Sequence, residues 1–429
     1  MDDKLPKNGE KTEMPSISKG KTGLAVFVTL SVLYFFSIFH RVGTASIATN
    51  LVTDFSTDNS VLGLMSGMYF YSYAAAQIPV GIMLDKIGTR KTLTILGLLA
   101  SCGNLIFSLS PTIPVLALGR GLIGFGVGGF YVSALKALAV GYNPKRYATL
   151  TGVLTSIGHL GGVAASSPLA LLTLFLNWRE AFLIIFLLMF FFVVVAWFVT
   201  KNSDDNLIKG NIRIREDFRK IFSNSQLLKI ASVPFFVYGA FVSFQGLWAG
   251  PFLMTVYEMS KANASLFFMF ISIGFMVAFP LAGIISDKMN RKKPVLLTGI
   301  ILSLIFWLVM SIFGGALESY QLLALLAFLG ISYGITCIFL TIPATLFPLE
   351  ISGSAIASLN IFNFIGGGFF QYLMGFIIDS THQTGNEFFS YQIIFAICTL
   401  GIVFSLVTSL LFKENSRTEK ETADNETAT

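Results

Sequence analysis

Arg41 is the residue of this sequence whose charge is hardest to accommodate. It stands in YFFSIFHRVGTASIATN, with a long apolar run before it. A guanidinium carries a planar fork of N–H donors that matches a carboxylate or phosphate two bonds at a time. His40 precedes it. Neighbouring helix positions lie about 100° apart, so the two side chains can border one cavity but cannot point the same way. His159 lies in SIGHLGG, flanked by Gly158, Gly161 and Gly162. Its imidazole titrates near neutral pH and could take up a proton together with an arriving anion. Glycines at that spacing let helices approach closely, which leaves the ring room only toward a cavity. Arg120 lies in GRGLIGFGVGG, where Gly119-x-Gly121-x-x-Gly124 imitates a dinucleotide fingerprint. No strand or βαβ unit surrounds it, so the glycines read as helix packing and Arg120 as a coupling residue or a structural pair. Uncharged candidates follow: Gln245, Trp248, Asn360, Asn363 and Gln371. There is no Walker loop, metal cluster or catalytic triad, so no catalytic residue, metal site or enzyme is expected. Cys102, Cys337 and Cys398 sit in apolar stretches and read as small hydrophobes. A coupling proton or sodium ion is the only small cofactor left open.

The elements that must position these residues are set by composition. The 429 residues are 54% hydrophobic, 14% aromatic and only 12% charged, with a mean hydropathy of +0.74. Soluble domains carry about 25% charged residues. Soluble enzymes, nucleic-acid binders and disordered chains are therefore excluded, and the solvent is a lipid bilayer. Stretches of about 20 apolar residues can cross it. They run approximately 23–49, 60–84, 92–110, 114–140, 148–174 and 180–200, then 227–256, 263–286, 294–314, 320–346, 351–378 and 389–412. The expectation is an all-α membrane protein of twelve helices in two six-helix bundles, 23–200 and 227–412. Polar segments 1–22, 201–226 and 413–429 form an N-terminal tail, a central loop and a C-terminal tail. The lysine-rich start is too long for a secretory n-region and no small-residue cleavage site follows, so the first span should stay as an anchor. Lys and Arg resist translocation. With the N-terminus in the cytoplasm, 25 of the 29 fall on the cytoplasmic side, Arg179 and Lys261 on the other, and Arg41 and Arg120 within spans. This bias predicts cytoplasmic termini, and it accounts for the net charge of +6 without nucleic acid.

The halves repeat one another. Gly81-Ile-Met-Leu-Asp85-Lys86-Ile-Gly88-Thr-Arg90-Lys91 returns as Gly283-Ile-Ile-Ser-Asp287-Lys288-Met-Asn-Arg291-Lys292. SIGHLGGVAASSPLALL (156–172) is echoed by NFIGGGFFQYLMGFIID (363–379). Span two thus matches span eight and span five matches span eleven, as in parallel repeats about an axis along the membrane normal. Twelve spans with this loop after spans two and eight resemble the major facilitator superfamily over residues 23–412.

The resemblance implies a secondary transporter working by alternating access, expected as a monomer in the cytoplasmic (inner) membrane. It implies that the loop is a gate latch, with Asp85 facing a helix N-terminus of the other half and the basic residues pairing across the cytoplasmic side. YFFSIFHRVGTASIATNLVTDF further resembles the anion:cation symporter and organophosphate antiporter branches, where a span-one arginine grips a substrate anion. The symporters place an acidic residue where this chain has His40. The antiporters have a histidine like His159, and a second arginine that FVSFQGLWAGPF lacks. A small organic anion is therefore expected, a carboxylate ahead of a phosphate ester, held by Arg41, His40, His159, Arg120, Gln245, Trp248 and Asn363. Drug exporters carry a Gly-Pro-x-x-x-Gly signature where this chain has Ser166-Ser167-Pro168. The alternatives are export of a neutral or cationic compound and a transporter-like membrane sensor.

Overall fold

A computed structural model describes residues 21–142, 144–200, 219–347, 349–381 and 386–414. Lipid offers no partner to backbone N–H and C=O groups, so a chain this apolar must satisfy them within helices. Among the described residues, eleven helices are long and apolar enough to cross a bilayer. They are α1 (Gly23–Val42), α3 (Gly88–Leu109), α4 (Ile113–Ala139), α5 (Thr149–Phe175), α6 (Trp178–Val199), α7 (Ser225–Thr255), α8 (Lys261–Met289), α9 (Lys293–Phe313), α10 (Ser319–Leu346), α11 (Ser354–Thr381) and α12 (Phe388–Leu410). The twelfth, α2 (Asn59–Lys86), has 28 residues. It falls short on apolarity because serines, tyrosines and Gln77 line it, and it packs against protein on both sides, α4 in its own half and α11 in the other.

Two seams join the halves: α2 against α11, and α5 against α8. These four helices are the ones that carry the repeats. The rotation that takes span two to span eight also takes span eleven to span five, so each seam is the image of the other. The turns obey the same symmetry. Gly88 has φ 79° and Asn290, which stands at the matching place in the second copy, has φ 51°. Both turns are left-handed, and Asn is among the few residues other than Gly that tolerate that conformation. The backbone thus keeps the repeat where the letters differ.

Several spans are interrupted, each at an identifiable residue. The first span is shorter than the apolar run suggests: α1 ends at Val42, and a short helix, Ala48–Phe55, follows a turn. Ser46 in that turn donates from Oγ to the carbonyls of Ala165 (2.6 Å) and Ser166 (3.2 Å). α5 is itself broken there, because Pro168 has no N–H to continue its helix. The turn after α1 is thus bonded to the break in α5. α7 relaxes into π turns over Val233–Tyr238 and Phe244–Trp248. α10 tightens to a 3-10 turn over Cys337–Thr341. Irregular backbone at membrane depth survives where protein or a cavity covers it.

Small residues let the helices meet. A Cβ at Gly330 of α10 would lie 2.0 Å from the Ile271 carbonyl of α8, and one at Gly161 would lie 2.2 Å from Phe35 O of α1. In the Gly119–Gly124 run, Gly119 and Gly124 meet backbone within 3 Å, whereas Gly121 meets nothing within 4 Å. Helix packing is the use of that motif. We expect Gly330→Val to lower the melting temperature of detergent-purified protein, with a cost of about 1–3 kcal/mol for overpacking. Gly152→Val, at a position with nothing within 4 Å, should leave it unchanged.

Candidate functional site

α1 ends in Arg41, where the last carbonyls of a helix favour a cation. The side chain turns into a cavity of about 120 Å³ between the halves. The space is large enough for several waters or a small ligand. Among the described residues Arg41 makes no ion pair. Its guanidinium carbon lies 5.6 Å from the Tyr73 ring centre and 5.3 Å from that of Phe364, and its Nε is buried without a hydrogen-bond partner. No Asp or Glu lines the cavity.

His159 lines the same space, its ring centre 4.1 Å from Phe275 across the α5–α8 seam. The glycines around it act as the sequence suggested. A Cβ at Gly158 would strike Tyr34 at 2.2 Å, and one at Gly162 would meet Ser272 Oγ at 2.9 Å. Gln245 reaches the cavity and donates from Nε2 to Ser272 Oγ at 2.9 Å. Asn360 and Asn363, one turn apart on α11, share a 2.7 Å bond between their amides and both line the cavity.

Three residues expected at the site lie elsewhere. His40 is 1% exposed and packs against Phe39 and Phe182, on the side of α1 turned away from the cavity. The helical step of about 100° that separates it from Arg41 sends one side chain inward and the other into the bundle. Arg120 is also buried inside the first half. Its Nη1 donates to the His40 carbonyl at 2.8 Å and its guanidinium lies 4.7 Å from the Tyr69 ring centre. It satisfies a carbonyl left open where α1 ends, while its Nε and Nη2 are buried without a described partner. Trp248 donates to the Gln371 carbonyl at 3.1 Å and ties α7 to α11 without reaching the cavity.

The tyrosines were not anticipated. Tyr34, Tyr73, Tyr131, Tyr238 and Tyr333 all line the cavity. Tyr73 stacks on Phe364 at 3.8 Å across the α2–α11 seam, and the Tyr238 hydroxyl is buried without a partner. In the sequence, isolated tyrosines in apolar helices carry no spacing signal that separates a cavity from a lipid-facing belt. Cys337, expected to be buried, is buried and borders the cavity as well, whereas Cys102 is exposed.

The repeated loops lie at the face that holds the first and last described residues, Lys21 and Glu414. Among the described residues, the partner of Asp85 is in its own half and not at a helix N-terminus of the other half. Asp85 pairs with Lys136 of α4 at 3.0 Å, and Lys136 also donates to the Leu84 carbonyl at 2.8 Å. Lys136 is therefore held at both of these groups. Arg90 stacks on Trp197 of its own half, 4.0 Å from the ring centre. Lys86 and Lys91 are exposed, as are Asp287, Lys288 and Arg291. Lys292 donates to the Thr341 carbonyl within the second half; burial pushes its ammonium below the ordinary lysine range, while Glu414 and Asp287 act against that shift. A Cβ at Gly81 or Gly283 would meet nothing within 4 Å. The apolar cluster of Ala76, Val80, Leu84 and Leu96 is separate from the main core. Among the described residues, the side-chain hydrogen bonds that join the two halves lie at the opposite face.

Two six-helix bundles related by a repeat, with a cavity at their interface, define a secondary transporter of the alternating-access kind. The chain belongs to the Major Facilitator Superfamily, whose family model matches residues 30–371 and 249–428. It is 23% identical over 429 aligned positions to a "Probable sulfoacetate transporter" of Cupriavidus necator, covering 93% of this chain and 97% of the relative. It is 21% identical to a "Probable hexose phosphate transport protein" of Chlamydia trachomatis, over 63% of this chain and 65% of the relative. A bacterial homologue of the human lysosomal transporter Spinster, solved in an inward-facing and unoccupied conformation, superposes with a TM-score of 0.72 at 18% identity. That match covers 92% of this chain and 98% of the other. A D-xylose–proton symporter superposes with a TM-score of 0.74 at 13% identity, over 90% and 97% of the two chains.

Arg120→Leu removes the partner of a buried carbonyl, and leaving such a group open costs about 1–3 kcal/mol. We expect this variant to melt earlier without added ligand. Arg41→Leu, which strands no described partner, should not.

Proposed function

We propose that this transporter carries a small organic anion, a carboxylate or sulfonate ahead of a phosphate ester. The observation that carries the reading is Arg41: a guanidinium facing a cavity that no carboxylate lines. A charge at membrane depth is costly unless something accepts its donors. Aromatic rings at more than 5 Å compensate it weakly, and a bidentate oxyanion compensates it well. The relatives named for sulfoacetate and hexose phosphate, and the short match to a nitrate/nitrite transporter, support an anionic class. A single arginine in a cavity of this size favours one compact oxyanion group over a doubly charged phosphate ester. His159 and Gln245 add polar contacts from the two halves. Should a proton be coupled to transport, His159 is the cavity group with a suitable intrinsic pKa.

The face with the chain ends is assigned to the cytoplasm, on the strength of the Lys and Arg bias. The protein would then reside in the inner membrane, open to the cytoplasm. Reporter fusions after Asn202 and after Lys413 should report cytoplasm, and a fusion at Gly385 the outside. A periplasmic signal from either of the first two would overturn the assignment.

Uptake of labelled carboxylates, sulfonates, phosphate esters and sugars into proteoliposomes tests the substrate class. Arg41→Lys keeps the charge and loses the fork. A charge-assisted hydrogen bond contributes about 1.5–3 kcal/mol, so affinity for the transported anion should fall roughly tenfold to a hundredfold. Arg41→Ala should abolish saturable binding at unchanged melting temperature. Wild-type accumulation of a neutral or cationic compound and of no anion would reject the reading; binding without accumulation would favour a sensor.

A further inference from the structure

At the face away from the chain ends, one half caps a helix of the other. The first N–H groups of α2 have no partner within their own helix. Asp58, at the N-cap position, makes no side-chain bond to them. Asp379, from the last turn of α11, takes that place. Its Oδ1 accepts from the Asn59 backbone N–H at 3.0 Å and from Asn59 Nδ2 at 2.9 Å, and its Oδ2 accepts from the Ser60 N–H at 2.7 Å. Among the described residues Asp379 has no cationic partner.

The glycines beneath it bring the two backbones together. A Cβ at Gly375 would lie 2.2 Å from Asn59 O, one at Gly63 would lie 2.3 Å from Gln371 O, and one at Gly67 would lie 3.2 Å from Gly368 O. Over these turns the α2–α11 seam is therefore a backbone contact, closed at its tip by a carboxylate on a positive helix end. The second seam has its own polar tie at the same face. Lys261, which opens α8, donates from Nζ to Asn50 Oδ1 and to Thr173 Oγ1, both at 2.7 Å and both in the first half.

We propose that Asp379 is the clasp that holds this face shut. These bonds run between the halves, so none survives if the halves part there. Asp379 then sets the ratio of the two access states without touching the cavity. This inference rests on the alternating-access fold and is independent of what the cavity carries.

The test uses spin labels on the full-length protein. One pair, at Asp58→Cys and Tyr320→Cys, reports the clasped face. A second, at Arg146→Cys and Arg291→Cys, reports the face with the chain ends. Asp379→Asn removes the charge and keeps the shape. It should add a longer distance to the first pair and a shorter one to the second, a shift in state ratio on the order of tenfold. Asn59→Ala removes one donor from the other side and should give a smaller shift in the same direction. Asp379→Glu should keep the wild-type distribution. Unchanged distances in both Asp379→Asn and Asn59→Ala would overturn the proposal. So would loss of folding in Asp379→Asn with Asn59→Ala indistinguishable from wild type, since Asp379 would then be structural. If the distances shift while Arg41 variants transport normally, the clasp stands and the anion reading falls.

Discussion

A guanidinium held at membrane depth without a described carboxylate is the constraint around which the structure is arranged. Arg41 sits at the end of α1, where the open carbonyls of a helix terminus lower the cost of a cation. The helix has to stop there for this to work. Its stop in turn requires Ser46 to bond the break in α5, and requires Arg120 to satisfy the His40 carbonyl. Two arginines of the same bundle, one of them bonded to the carbonyl of the residue before the other, thus do different things. One completes the end of a helix, and the other is left free to face the cavity.

The seams show how a membrane protein holds two halves together without fixing them. In lipid there is little hydrophobic gain from pressing helices together, so close packing and hydrogen bonds must supply the contact. Glycines give the α2–α11 seam its backbone approach toward one face. At cavity level the contacts become ring on ring, Tyr73 with Phe364 and His159 with Phe275. Toward the face with the chain ends the α2 side chains turn to their own half. Contact that grades from backbone to ring among the described residues is suited to rocking about the cavity by tilting whole bundles.

The charged loops belong to that gradation. Asp85 has a partner in its own half, and among the described residues Asp287 of the second copy makes no ion pair. A carboxylate on a helix N-terminus does occur between the halves, but at the other face and from α11.

How much of this was legible in the sequence depends on the range of the interaction involved. The twelve spans, the glycine-lined helix contacts and the paired repeats could be read directly, because apolar length and spacing within one helix are local quantities that the bilayer enforces. Arg41 and His159 could be picked out as cavity groups, since an ionisable residue in an apolar span has few places to point. What the sequence could not separate was which way neighbouring side chains face. His40 and Arg41 are adjacent letters, yet the rotation of α1 about its axis, set by packing on α5, sends one into the bundle and the other into the cavity. The same holds for Arg120 and Trp248, which have the composition of site residues and were assigned by packing to hold helices. The tyrosines around the cavity, and the partners of Asp85 and Asp379, come from helices far apart in the chain. Only tertiary structure could decide those, because they depend on helix rotation and on the relative tilt of two halves that the sequence specifies separately.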